Sequence, residues 1–142
     1  MTNRLPAEQR TLTRDEIIAH FQLIETFLPT EVTFDITIVG GAPLVLLGLR
    51  GDSGATTDVD SITELPAPLQ QAAAQAAAES GLPTTWINTR SRAFAVNNAK
   101  PTTIVYQSAQ LRIRSAAADD IFIMKIAVVT ESCLFRIVTR EL

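Results

Sequence analysis

Apolar residues recur at helical spacing from Ile17 onward, at Ile17, Ile18, Phe21, Ile24, Phe27 and Leu28. Side chains three and four apart share one face of a helix, so the spacing predicts an amphipathic helix over 14–28. Thr13 and Glu16 stand three apart at its start, the signature of a capping box, and Pro29 stops it. Residues 1–12 carry no apolar period and are expected to form a loose tail. After the helix the period changes. Val32 to Val39 alternates and is rich in β-branched residues, which predicts a strand with Phe34, Ile36 and Ile38 on one face. Gly40-Gly41 ends that strand, and Ala42 to Leu49 reads as a short buried helix with Pro43 in its first turn. Gly51 to Ala55 has loop composition, and Thr56 to Ile62 reads as a second strand. Alternation puts Asp58 and Asp60 on the same face of it.

The Ala-rich run Leu69 to Ser80 is a strong helix former, closed by Gly81, and its small side chains suit a thin helix packed closely on a sheet. Trp86-Ile87-Asn88 predicts a short turn or strand. Ile104 to Tyr106 and Leu111 to Ile113 predict two more strands, joined as a hairpin through Gln107-Ser108-Ala109-Gln110. Ala116 to Val129 reads as a helix opened by Ser115 or by Asp119-Asp120, while 130–142 is ambiguous. The expected fold is α/β, a small mixed sheet with flanking helices. The 142 residues suit one domain, taken as 13–142.

Composition narrows the function classes. The chain is 46% hydrophobic and 19% charged, in the range of an ordinary globule. A net charge of -3 gives no overall basic footprint for nucleic acid, although a local patch stays open. The single cysteine, Cys133, excludes an intramolecular disulfide and a Cys-rich zinc site. The N-terminal residues are polar, unlike a signal peptide, and Gly, Pro or charge breaks each apolar stretch before it could span a bilayer. The expectation is a cytoplasmic protein with no membrane contact.

Chemistry concentrates in the first half. A strand ends in Gly40-Gly41, a short helix follows, and a second strand carries Asp58-Val59-Asp60. Paired glycines let a triphosphate approach the backbone, and the next helix offers amides to anionic oxygens. Two carboxylates on one strand face, about 7 Å apart by the strand repeat, suit magnesium.

Val39-Gly40-Gly41-Ala42-Pro43-Leu44 to Arg50, with Thr57-Asp58-Val59-Asp60, resembles the opening motif of the nucleotidyltransferase superfamily. Within it the pattern is similar to the branch around the AbiEii toxins of bacterial toxin–antitoxin pairs. That branch writes Gly-Gly, a helix containing Leu, then Arg, Thr and Asp-x-Asp, the order followed by Leu44, Arg50, Thr57, Asp58 and Asp60. Leu82-Pro83 with Trp86-Ile87-Asn88, and Ile123-Met124-Lys125-Ile126-Ala127, resemble later segments of the branch. The resemblance implies that Asp58 and Asp60 hold Mg2+ and that Gly40 and Gly41 meet the phosphates. It also implies that Arg50, Thr57 and Lys125 contact phosphate or nucleotide. The implied reaction moves a nucleoside monophosphate from a nucleoside triphosphate to an acceptor such as transfer RNA, with an antitoxin protein as a partner. Oligomeric state stays open, and the unplaced apolar stretch at 130–142 would suit packing in a homodimer.

The chain departs from this pattern in its loop at 51–55, which is longer, and in lacking a third carboxylate on the strands predicted at 104–106 and 111–113. A second reading therefore stands beside the first: a nucleotide- or partner-binding regulatory protein that keeps the fold without transfer. A third treats the glycines and aspartates as incidental. Arg112 and Arg114 share a strand face by alternation, with Arg90 and Arg92 nearby, which would suit RNA phosphates but is more commonly solvated charge. His20 has no second His as partner and reads as structural, and Trp86 as core or a pocket wall. Cys133 lacks a His partner, and Ser53 lacks a nucleophile-elbow motif.

Overall fold

A computed structural model describes residues 11–49, 51, 54–90, 102–117 and 121. Arg50, Lys125, most of the helix expected over 116–129 and the whole of 130–142 lie outside the described residues.

The chain enters through a two-residue strand, β1 (Leu12–Thr13), and turns directly into helix α1 (Arg14–Thr26). Thr13 caps α1 through the expected box: its Oγ1 accepts from the Glu16 amide, and Glu16 Oε1 accepts from the Thr13 amide. Leu12 and Ile17 occupy the flanking positions of a hydrophobic staple, and both are fully buried in the main core. The expected tail therefore ends short of Leu12, whose Cα pairs with Thr56. An apolar side chain beside a helix start gains more from the core than from solvent, even without a periodic pattern around it.

Strand β2 (Phe34–Val39) follows, with Phe34, Ile36 and Ile38 buried on one face as alternation requires. Helix α2 is shorter than expected, Gly41–Leu46, because Gly48 takes a positive φ of 74° soon after it. The expected strand over 56–62 divides in two. β3 (Ala55–Thr56) pairs with β1, whereas β4 (Val59–Ser61) joins the main sheet between β2 and a short strand β5 (Ile87–Asn88). Thr57 and Asp58 form the step between the two sheets, where Thr56 Oγ1 donates to the Asp58 carbonyl at 3.3 Å.

Helix α3 (Ala67–Ser80) ends at Gly81 in the left-handed region. The hairpin of β6 (Thr103–Gln107) and β7 (Leu111–Ser115) completes a mixed five-stranded sheet ordered β5-β4-β2-β7-β6. β2 runs parallel to β7 and antiparallel to β4, which is itself parallel to β5. The result is a single small α/β domain. Helices α1 and α3 lie together on one sheet face. Ile17, Phe21 and Ile24 meet Ile36, Ile38, Leu111 and Ile113 there, and Ala72, Ala73, Ala76 and Ala77 let α3 approach closely. Among the described residues, no helix is long and apolar enough to cross a membrane.

One polar tie joins the outer strand to this core. Tyr106 donates its hydroxyl to Glu25 Oε1 at 2.6 Å, and its ring stands 5.3 Å from that of Phe21. Burial, reinforced by the Glu25 carboxylate, pushes the Tyr106 phenol well above its ordinary value of 10.0. The folded state thus holds the phenolic proton more tightly than the unfolded chain. Stability from this group is intact below pH 10.0 and is lost as pH rises above it. Tyr106 is the only tyrosine, so ultraviolet titration of the phenol reports it alone. Its ionisation midpoint is expected above that of the denatured chain. Tyr106→Phe is expected to cost about 1 kcal/mol at neutral pH and to flatten the alkaline loss, both read from urea denaturation.

Candidate functional site

The site begins where β2 gives way to α2. Antiparallel register sets Val39 opposite Asp60, so the Asp60 side chain rises beside the next residue, Gly40. Gly40 has φ 79° and ψ -146°, a backbone conformation reserved in practice for glycine. A β-carbon there would stand 2.6 Å from Asp60 Oδ2. The missing side chain therefore makes room for a carboxylate of the protein itself. Gly41 is the first residue of α2, and both glycines are partly exposed.

Asp58 precedes β4, and the intervening Val59 is fully buried in the core. Alternation from the buried Val59 turns Asp60 to the other side of the sheet, while Asp58 stands before the strand begins. Their link is Asn88, whose Cα is the register partner of Asp60 and whose side chain reaches Asp58. Asn88 Nδ2 donates to Asp58 Oδ2 at 3.4 Å and to the Thr85 carbonyl at 3.1 Å, while Oδ1 accepts from the Arg90 amide at 3.1 Å. This side chain is almost fully buried and satisfied at both ends, which fixes its orientation. Arg90 Nη2 donates to the same Asp58 oxygen at 3.0 Å. Asp58 and Arg90 share the wall of a cleft of about 300 Å³ with Thr57, Pro83, Thr85 and Trp86.

Of the residues expected at the site, Asp58 and Thr57 line this cleft, whereas Asp60, Gly40 and Gly41 do not, Asp60 lying against Gly40. Arg50 and Lys125 lie outside the described residues. Two contributors escape sequence reasoning. Asn88 reads as an ordinary turn residue and Arg90 as surface charge, until parallel pairing of β5 with β4 sets them beside the acids. The available signal was the run Trp86-Ile87-Asn88, whose strand character brings Arg90 to the sheet edge.

The described donors are carboxylate oxygens. Among the described residues, no group of three His, Cys, Asp or Glu side chains is arranged to hold a metal ion. Magnesium is commonly held by one or two carboxylates, with water and substrate phosphates completing its shell. Asp58 and Asp60 fit that donor chemistry. Among the described residues, both hydrogen bonds to the Asp58 carboxylate end on Oδ2.

Elsewhere on the same sheet face, Arg112 and Arg114 converge on Asp35: Arg112 Nη1 lies 3.3 Å from Oδ2 and Arg114 Nε 3.0 Å from Oδ1. The expected shared face is present, with an acid between the two bases. His20 has the expected structural setting, with Nδ1 donating to the Glu16 carbonyl at 2.6 Å and its ring set edgewise on Trp86.

Gly40→Ala tests the contact with Asp60. It is expected to cost about 2 kcal/mol from backbone strain alone, with a further loss from displacing the carboxylate. In an Asp60→Ala background the strain remains and the displacement disappears, so the substitution should cost less there. Equal costs in both backgrounds, measured by urea denaturation, would show that the carboxylate does not press on this position.

No family model matches the chain, and neither a curated protein nor a solved structure matches it.

Proposed function

We propose that this protein is a metal-dependent nucleotidyltransferase, similar to the AbiEii branch of that superfamily in the order of its Gly-Gly and Asp-x-Asp motifs. The observation that carries the reading is the meeting of those motifs: the Asp60 carboxylate lies in the space left by Gly40, two residues from Asp58 at a 300 Å³ cleft. In a surface Asp-x-Asp of no function, neither acid needs a glycine partner or a buried amide to orient it.

In this reading Asp58 and Asp60 hold Mg2+, which when bound neutralises phosphate charge and eases loss of the acceptor proton. The chain's own residues bind and orient. Asn88 fixes the Asp58 carboxylate, and Gly40 admits Asp60 by lacking a side chain. Thr57, exposed at the cleft, offers a hydroxyl to a phosphate or ribose oxygen. Gly41, Arg50 and Lys125 are phosphate contacts by resemblance. An acceptor hydroxyl oxygen bonds to the α-phosphorus, the bond from that phosphorus to the bridging oxygen breaks, and pyrophosphate leaves. The acceptor proton passes to solvent. Binding and orientation of this kind supply much of the barrier reduction in phosphoryl transfer. An RNA acceptor, an antitoxin-like partner, a homodimer and a cytoplasmic setting belong to the same proposal.

The test incubates the protein with each labelled nucleoside triphosphate, magnesium and total RNA. Label should reach the acceptor with wild type and fall by about 100-fold in Asp58→Asn and Asp60→Asn, both with unchanged circular dichroism. Equal transfer by the variants would overturn the assignment. Nucleotide binding without transfer to any acceptor would favour the regulatory reading.

A further inference from the structure

We propose that Arg90 is a two-position residue: it rests on Asp58 while the site is free of divalent cation, and moves its guanidinium to the triphosphate when a magnesium nucleotide enters. The inference rests on the nucleotidyltransferase reading and names a nucleotide-binding residue that the motif does not contain.

Four observations support it. The contact is a single bond, Nη2 to Oδ2 at 3.0 Å, and not the two-bond fork by which arginine grips a carboxylate firmly. The Arg90 side chain is 70% exposed against 27% for Asp58, so the pair is screened by solvent and weak. The backbone at Arg90 is held by Asn88 Oδ1, and Asn88 Nδ2 independently holds Asp58. Departure of the guanidinium therefore leaves both its own anchor and the carboxylate in place. Finally, Arg90 and Asp58 line the same cleft, so a triphosphate entering there comes within reach of a planar donor suited to phosphate oxygens.

The two positions compete by simple electrostatics. A cation at Asp58 opposes a second cation at the same carboxylate, so Arg90 and a divalent ion exclude one another there. A triphosphate reverses the sign by giving Arg90 a more highly charged anion to move to. Reciprocal linkage then requires opposite effects of removing Arg90: tighter binding of the bare metal and looser binding of the metal nucleotide. A surface arginine with no role in binding has no reason to produce opposite signs.

Calorimetry at low ionic strength would titrate the intact chain with Mg2+ alone, and then with a magnesium nucleotide whose α–β bridge cannot be cleaved. In Arg90→Gln the Kd for Mg2+ is expected to fall by about two- to fivefold, while the Kd for the magnesium nucleotide rises by about tenfold. Arg90→Lys should recover part of the nucleotide affinity. Changes of the same sign, or none, would overturn the proposal. Asp58→Asn separates the two readings: if wild type binds both ligands, Asp58→Asn loses them and Arg90→Gln behaves as wild type, the metal site stands and the role of Arg90 falls. If wild type binds neither, both fall.

Discussion

The candidate site depends on the absence of a β-carbon at Gly40. β2 and β4 are locked in antiparallel register, and that register directs Asp60 toward the first residue beyond β2. Any L-side chain at Gly40 would occupy space the carboxylate needs, in a backbone conformation it would also resist. The sheet ladder, the turn and the acid are thus one arrangement. The ladder sets where Asp60 points, and the glycine lets it arrive.

The second acid is positioned by different means. Asp58 lies outside the ladder, in the step where the chain leaves the small β1–β3 sheet for the main one. A residue there lacks the neighbours that hold a strand, and its side chain is oriented by Asn88 from the adjacent edge strand. Asn88 can do this because it is buried, bonded to the Thr85 carbonyl, and aligned with Asp60 by parallel pairing. Beneath it, the Val59 amide donates to the Trp86 carbonyl at 2.6 Å, and Trp86 packs on His20 and Phe21 of α1. The site is therefore braced from the core through β5, the shortest described strand of its sheet.

Local pattern made much of the architecture legible. The capping box at Thr13, the alternation of Phe34, Ile36 and Ile38, and the Ala-rich run closed by Gly81 each combine a strong periodic signal with a matching stop residue. The misplaced strand boundaries share a different cause. Leu12 is buried because a distant strand at Thr56 pairs with it, and the expected strand over 56–62 divides because its halves find partners in different sheets. Pairing over such separations leaves no trace in a short window. The acids and glycines were visible as a motif, whereas Asn88 and Arg90 became partners only through strand order. Sequence shows which groups are present, and topology decides which of them meet.

Charge follows the same division. Arg112, Arg114 and Asp35 are matched across the parallel β2–β7 seam, where two cations share one anion close to the sheet and each guanidinium is about one-third exposed. Arg90 is more than twice as exposed and meets Asp58 beyond the end of β5. A cation held against a central seam is limited by its neighbours on both strands. One extending from a short edge strand over a cleft has room to exchange partners, and exchange is useful only where a competing charge arrives. Under the proposed exchange the same carboxylate would be neutralised by Arg90 or by metal at little cost in stability, since an exposed pair contributes at most about 1 kcal/mol. That small energy gap is the physical condition that the proposed exchange of Arg90 for a ligand carrying its own cation requires.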